Sequence, residues 1–171
     1  MDEAARWLKE CLKVFPLLKK HDITCKYSKL PKNVLGRVKI SYLEEKDIDA
    51  RALLLEGRSR LRVSKKRDDK YKIEISEKFK GIEEVEVRKQ VVEHTIIHEL
   101  LHIEANDFDV IAENSKTNKR KKIHVKAFKE EVFRRFNELR ELGKIPTIEN
   151  REDLDLAINK IVNSLEETAK R

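Results

Sequence analysis

The sequence predicts an α+β fold in which an N-terminal helix and a small antiparallel β-sheet precede three further helices. Two periodicities in the 171-residue chain support this prediction. Apolar residues recur at helical spacing in four segments, whereas apolar and polar residues alternate in shorter segments between residues 23 and 76. The length suits one domain with a core of its own. We therefore predict that residues 1–171 form a single domain, in which residues 149–171 are a covering C-terminal helix.

The N-terminal part of the chain is predicted to contain the first helix and all of the strands. The helix should run from residue 2 to about residue 20, with Pro16 bending or breaking its last turn. Strands are predicted at residues 23–27 and 36–42 because both segments alternate, and residues 30–33 have turn chemistry. The alternating segments 60–64 and 71–76 flank a polar stretch. They predict a β-hairpin with Asp68 and Asp69 in its turn.

The C-terminal part of the chain is predicted to be helical. The second helix should begin between residues 82 and 87 and continue to about residue 105. Helical periodicity resumes at Ile123, and Gly143 suits the end of that third helix. Asn150 is a plausible N-cap for the last helix, because Glu152 and Asp153 place negative charge in the turn that follows.

The second predicted helix carries the motif HExxH at residues 98–102. His98 and His102 are four residues apart, so both imidazoles leave the same helix face and can close on one ion. Glu99 lies next to the first ligand, where it can act as general base towards a metal-bound water. The motif therefore predicts a catalytic Zn²⁺ site with His98 and His102 as ligands and Glu99 as the catalytic residue.

A catalytic zinc usually has three protein ligands, and the motif supplies two. The metzincin extension of HExxH is broken here, because Ala105 occupies the glycine position and Phe108 the position of the last ligand. Glu130 and Glu131 are possible ligands from the next helix. His124, at the start of that helix, is the stronger candidate, and Glu131 is its main rival because it lies on nearly the same helix face.

These residues resemble the SprT-like zinc metallopeptidases, the family that includes the eukaryotic Spartan protease. The family has a histidine as third ligand in a pattern of the form HGxxFK, which matches residues 124–129 with Val125 in place of the glycine. A carboxy-terminal zinc ribbon is missing, since the chain has no CxxC motif. The resemblance implies a zincin-like fold and peptide-bond hydrolysis, with zinc bound by His98, His102 and His124.

The chain is also similar in size and element order to the archaeal minigluzincins, which use a glutamate as third ligand. Both resemblances imply a zinc-dependent endopeptidase whose partner is a protein or peptide substrate. The resemblance to Spartan further implies an action on DNA-associated proteins. His94, one turn before His98, is redundant as a ligand, because three residues of one straight helix cannot converge on a tetrahedral ion. We expect it to support the site from behind the ligands or to face solvent.

Two basic clusters hold most of the excess positive charge, which is +7 for the whole chain. Clustered cations can bind nucleic-acid phosphates, so both clusters predict DNA binding, although a solvated lysine-rich surface explains them as well. The candidate DNA-binding residues are Arg60, Arg62, Lys65, Lys66 and Arg67 in the first cluster and Lys119, Arg120, Lys121 and Lys122 in the second.

The cysteines and the hydropathy indicate where the protein resides. Cys11 and Cys25 lie far from any CxxC motif, and the sequence shows no signal peptide and no apolar segment long enough to cross a bilayer. We expect a cytoplasmic protein without a membrane partner. The alternative to a peptidase is a basic nucleic-acid-binding module whose zinc site is structural or inactive.

Overall fold

The computed structural model describes residues 2–45, 64–105 and 126–168. The first helix is α1 (Glu3–Cys11). Its N-cap is Asp2, whose carboxylate accepts a hydrogen bond of 3.4 Å from the backbone N–H of Ala4. It ends earlier than predicted. Two short 3₁₀ helices follow at Leu12–Val14 and Pro16–Lys20, so the predicted break at Pro16 is confirmed.

Three strands form one sheet in the order β1-β3-β2: β1 (Asp22–Ser28), β2 (Gly36–Glu45) and β3 (Ser64–Ser76). The β2 and β3 strands are antiparallel, but β1 runs parallel to β3, so the prediction of an antiparallel sheet is wrong for β1. Alternation could not reveal this, because it identifies the buried face of a strand and carries no information about direction.

The predicted hairpin with Asp68 and Asp69 in its turn is also wrong, because both residues lie inside β3. The partner of β3 is β2, and the register between them shifts from the pair Ile40 and Tyr71 to the pair Tyr42 and Arg67. Three residues of β3 therefore face one residue of β2. Asp68 and Asp69 belong to this bulge, where polar residues that favour turns are tolerated.

The three remaining helices are α2 (Val85–Glu104), α3 (Lys126–Leu142) and α4 (Arg151–Thr168). The predicted N-cap of α4 is confirmed by a hydrogen bond of 2.9 Å from the N–H of Glu152 to Oδ1 of Asn150. The end of α3 is where Gly143 predicted it, but the residue with left-handed backbone is Lys144, at φ 56°.

Helix α2 is the centre of the fold. It packs against α1, the sheet and α3, and it is buried on several sides rather than along one stripe. Val92, Ile96, Ile97 and Leu100 are each 0% exposed. The HExxH motif therefore lies on a helix that the core holds rigidly, as a catalytic constellation requires.

Two further findings concern the cysteines and the membrane. Cys11 and Cys25 are both buried free thiols. Within residues 2–45, 64–105 and 126–168, none of the helices has the length and apolar character needed to cross a membrane.

Candidate metal centre

The two histidines of the motif face each other on α2. The Nε2 atoms of His98 and His102 lie 3.2 Å apart, and their ring centroids 4.9 Å apart. Two nitrogen atoms at this distance either share a proton or bind a common ion. A tetrahedral zinc with Zn–N distances of about 2.0–2.1 Å holds two nitrogen ligands about 3.3 Å apart. The pair therefore fits two corners of a zinc site.

Phe128 of α3 fixes both imidazoles from the other side. Its ring is stacked on His102 with centroids 4.6 Å apart, and its edge contacts the ring of His98 at 5.1 Å. Phe128 is itself buried. The N-terminal end of α3 thus lies over the ligand pair.

Glu99 is buried beside the pair, with only 6% of its surface exposed. Burial raises the pKa of its carboxyl to about 7, because the charged form loses contact with water. Gly36 at the start of β2 leaves room for this side chain. A Cβ at position 36 would come within 3.0 Å of Oε1 of Glu99 and within 2.6 Å of Cγ2 of Thr95.

A cleft of about 590 Å³ opens next to Glu99 and His98. The start of β2 forms one wall with Leu35 and Gly36, and α3 and α4 form the opposite wall with Val132 and Ile158. The cleft is large enough to hold several side chains of an extended peptide. It therefore gives a substrate direct access to the buried carboxylate.

His94 lines this cleft one helical turn before His98. Its ring edge contacts Phe136 at 5.5 Å, and burial lowers the pKa of its imidazole to about 4, with Asp155 opposing that shift. His94 is therefore neutral near pH 7 and only partly exposed. His94 therefore lies on the wall of the cleft, largely shielded from solvent.

Of the three candidates for the third ligand, the structure describes two, Glu130 and Glu131. His124 lies outside the described residues. Glu131 accepts hydrogen bonds from Arg134 at 2.6 Å and from Arg135 at 2.8 Å. These hydrogen bonds, above all the one from Arg134, lower the pKa of the Glu131 carboxyl to about 2. Glu130 accepts a hydrogen bond of 3.0 Å from Arg151. Both carboxylates are therefore already paired with guanidinium groups.

No group of three or more metal-binding side chains occurs within the described part of the chain. The candidate DNA-binding residues Arg60, Arg62, Lys119, Arg120, Lys121 and Lys122 also lie outside it. The other three candidates, Lys65, Lys66 and Arg67, lie in strand β3, where the structure describes their backbone but not their side chains.

Sequence reasoning missed Gly36 and the part of the cleft that α4 supplies. An isolated glycine in a strand can mark a close backbone approach, so Gly36 carried a signal that could have been used. Asp155, Ile158 and Asn159 carried none, because a periodic amphipathic helix does not reveal which element it covers.

Comparisons of the chain with protein-family models, curated proteins and solved structures find no match.

Proposed function

We propose that this protein is a zinc-dependent metalloendopeptidase. The observation that carries the proposal is the 3.2 Å separation of the Nε2 atoms of His98 and His102, with the buried carboxyl of Glu99 beside them. A structural zinc site has no use for a carboxylate at that position, and it normally fills all four corners with protein ligands. The cleft next to Glu99 is further support, because a hydrolase must admit its substrate.

The third ligand in this proposal is His124. It lies four residues before Phe128, and the ring of Phe128 packs on both ligand imidazoles. His124 is two residues before the start of α3, and the N-terminal end of α3 lies over the ligand pair. Glu131 is the less suitable ligand, because its two ion pairs with Arg134 and Arg135 would have to be given up.

A bound zinc ion would polarise the scissile carbonyl and lower the pKa of a water molecule. Glu99 then has two tasks. One oxygen of its carboxylate accepts the proton of the attacking water, and the same carboxyl later donates that proton to the leaving amine. The surrounding core holds Glu99 in place, and the absence of a side chain at Gly36 leaves space for its carboxylate.

The substrate in this proposal is a protein segment in extended conformation. Within the described residues, β2 is an edge strand of the sheet, and its first residue, Gly36, lines the cleft together with Leu35, which precedes the strand. An extended peptide can add to such an edge through backbone hydrogen bonds while alternate side chains enter a pocket. Val132 and Ile158 make part of that pocket apolar.

The test combines metal analysis with a peptidase assay. Purified protein should contain about one zinc per chain, and His98→Ala or His102→Ala should remove it. Glu99→Gln should retain zinc and fold but lose hydrolysis of an unfolded protein, since the amide keeps the shape and cannot accept the proton. Stoichiometric zinc in both histidine variants would disprove the metal site. Unchanged hydrolysis by Glu99→Gln would disprove the mechanism, and zinc binding without any hydrolysis would favour a structural site in a nucleic-acid-binding module.

A further inference from the structure

The face of the sheet that points away from α2 carries a group of basic residues. Along β3, Tyr71, Ile73 and Ile75 point into the core, so Lys70, Lys72 and Glu74 belong to the opposite face. The strand register places neighbours beside them on both sides. We call this surface the basic sheet face, and its cations are Lys26 of β1, Arg37 and Lys39 of β2, and Lys70 and Lys72 of β3.

The carboxylates on this face are too few to balance its cations. Glu74 is the central one. It accepts a hydrogen bond from Arg37 at 2.6 Å and forms ion pairs with Lys39 at 3.1 Å and Lys72 at 3.9 Å. Asp22, which pairs with Lys70 in the register, is at the end of the face. Among the sheet residues whose side chains the structure describes, four cations therefore lie around the one carboxylate of Glu74: Lys26, Arg37, Lys39 and Lys72.

The ammonium groups on this face repel one another. The charge of Lys26 lowers the pKa of Lys72 below its ordinary value, and the charge of Lys39 acts in the same direction. The side chains of Lys39 and Lys72 are nevertheless 50% and 43% exposed, so they remain accessible to a large ligand. An anion bound between them would relieve this repulsion.

We propose that the basic sheet face binds the phosphate backbone of double-stranded DNA. Alternate residues along a strand are about 6.6 Å apart and neighbouring strands about 4.8 Å apart, so the cations form a regular array on this surface. A duplex presents a regular array of phosphates that such a surface can contact without reading sequence.

A duplex fits this face better than a single strand. Single-stranded nucleic acid is usually held by aromatic side chains on which bases stack. The described residues of the face include none, because Tyr27 and Tyr71 point into the core. Within the part of the face whose side chains the structure describes, no large apolar side chain is available for insertion into a lipid surface either.

The basic sheet face and the cleft lie on opposite sides of the sheet. Gly36, on the core side of β2, contacts Glu99, whereas its neighbour Arg37 belongs to the basic sheet face. DNA could therefore be bound while the cleft stays open. The basic sheet face shares no residue with the metal centre, so DNA binding there does not require bound zinc.

The experiment measures binding of the full chain to a fluorescent DNA duplex of about 20 base pairs at several salt concentrations. The test variant combines Lys26→Gln, Lys39→Gln and Lys72→Gln. It leaves Arg37 in place so that buried Glu74 keeps its closest partner. The matched control combines Lys9→Gln, Lys19→Gln and Lys160→Gln, which removes the same charge from exposed positions on other elements. Circular dichroism confirms that both variants are folded.

We expect the test variant to bind about tenfold more weakly or worse at about 0.1 M salt, with a slope of log K against log salt that is smaller by about 2.7. The control should change affinity by less than about threefold, and Glu99→Gln should bind DNA as the unchanged chain does. Equal losses in both triple variants would overturn the proposal, because binding would then follow net charge alone. Tighter binding of a single strand or of polyglutamate, or no salt-dependent binding of the duplex, would overturn it as well.

Discussion

Gly36 and Glu99 lie so close together that a Cβ on Gly36 would come within 3.0 Å of Oε1 of Glu99 and within 2.6 Å of Cγ2 of Thr95. Thr95 cannot move away easily, because it is β-branched and its hydroxyl donates a hydrogen bond of 2.8 Å to the carbonyl of Val91. We therefore expect Gly36→Ala to lower the free energy of unfolding by about 1–3 kcal/mol. Urea unfolding measures this loss, and peptide hydrolysis should fall because Glu99 is displaced.

A second variant can show that the clash with the methyl group of Thr95 causes this loss of stability. Thr95→Ser removes the methyl group that clashes and keeps the hydroxyl, so Gly36→Ala combined with Thr95→Ser should recover part of the lost stability. Gly81→Ala is the matched control, because its nearest neighbour would be Cδ2 of Leu165 at 3.4 Å. A loss as large at Gly81 as at Gly36 would contradict the steric explanation.

Glu93 makes stability depend on pH. Burial raises the pKa of this carboxyl to about 7, although the positive charge of Lys89 acts in the opposite direction and lowers the pKa. The folded state therefore binds the proton more tightly than the unfolded state, whose pKa is about 4.3. The contribution of Glu93 to stability should be highest below that value, fall as pH rises through 5 and 6, and level off above about pH 7. The total loss from this group is about 4 kcal/mol.

Glu93→Gln should remove this contribution, since the amide does not titrate. Urea unfolding of both proteins at pH 5, 6, 7 and 8 would measure the difference, and the variant should gain relative stability as pH rises. Glu99, whose pKa is raised in the same direction, contributes equally to both proteins. Parallel curves for the two proteins would contradict the prediction.

The sequence predicted the helices better than the sheet. The 3.6-residue period and the cap at Asn150 are local properties, and the structure has a helix in each of the four predicted segments, although α1 ends at Cys11. The parallel direction of β1 and the bulge at Asp68 and Asp69 depend on which strands meet, and no local pattern carries that information.

The same distinction applies to the site. His98, Glu99 and His102 are close in sequence, and helix geometry alone places them together. The contacts of Gly36 with Glu99 and of Phe128 with both histidines join residues from different elements. The assignment of His124 and the DNA-binding roles of Lys119, Arg120, Lys121 and Lys122 stay predictions.

The third ligand can be identified by comparing two variants. His124→Ala should lower zinc affinity severely, because it removes a ligand. Glu131→Ala should have a small effect, or one of about 10 to 100-fold if Glu131 orients a ligand histidine. Zinc titration against a competing chelator measures both. The reverse ranking would identify Glu131 as the ligand, despite its ion pairs with Arg134 and Arg135.

Arg135 should matter far more for stability than its neighbour Arg134. Its guanidinium donates to the carbonyl of Val14 and to Glu104 at 3.2 Å, and it lies 4.8 Å from the ring centroid of Phe15. Its side chain is only 15% exposed. Arg135→Ala would leave a half-buried carboxylate and a carbonyl without their partner, so we expect a loss of about 3 kcal/mol.

Arg134→Ala is the control. The side chain of Arg134 is 56% exposed and pairs with Glu131 and Glu138 on the surface of the same helix. Ion pairs of this kind contribute about 0.5 kcal/mol each. Urea unfolding of the two variants should therefore give clearly different midpoints. Equal midpoints would mean that the contacts of Arg135 with α2 and with Val14 add no stability.

The parallel pairing of β1 with β3 has a consequence for the order in which the chain can fold. Asp22 pairs with Lys70, so β1 cannot enter the sheet until a much later segment has been synthesised. The β2 and β3 strands are nearer to each other in sequence and can associate first, at a smaller cost in loop-closure entropy. On the ribosome, β1 would remain unpaired until β3 emerges. Cys25 and Tyr27, which the finished core buries, would be exposed to other chains during that interval.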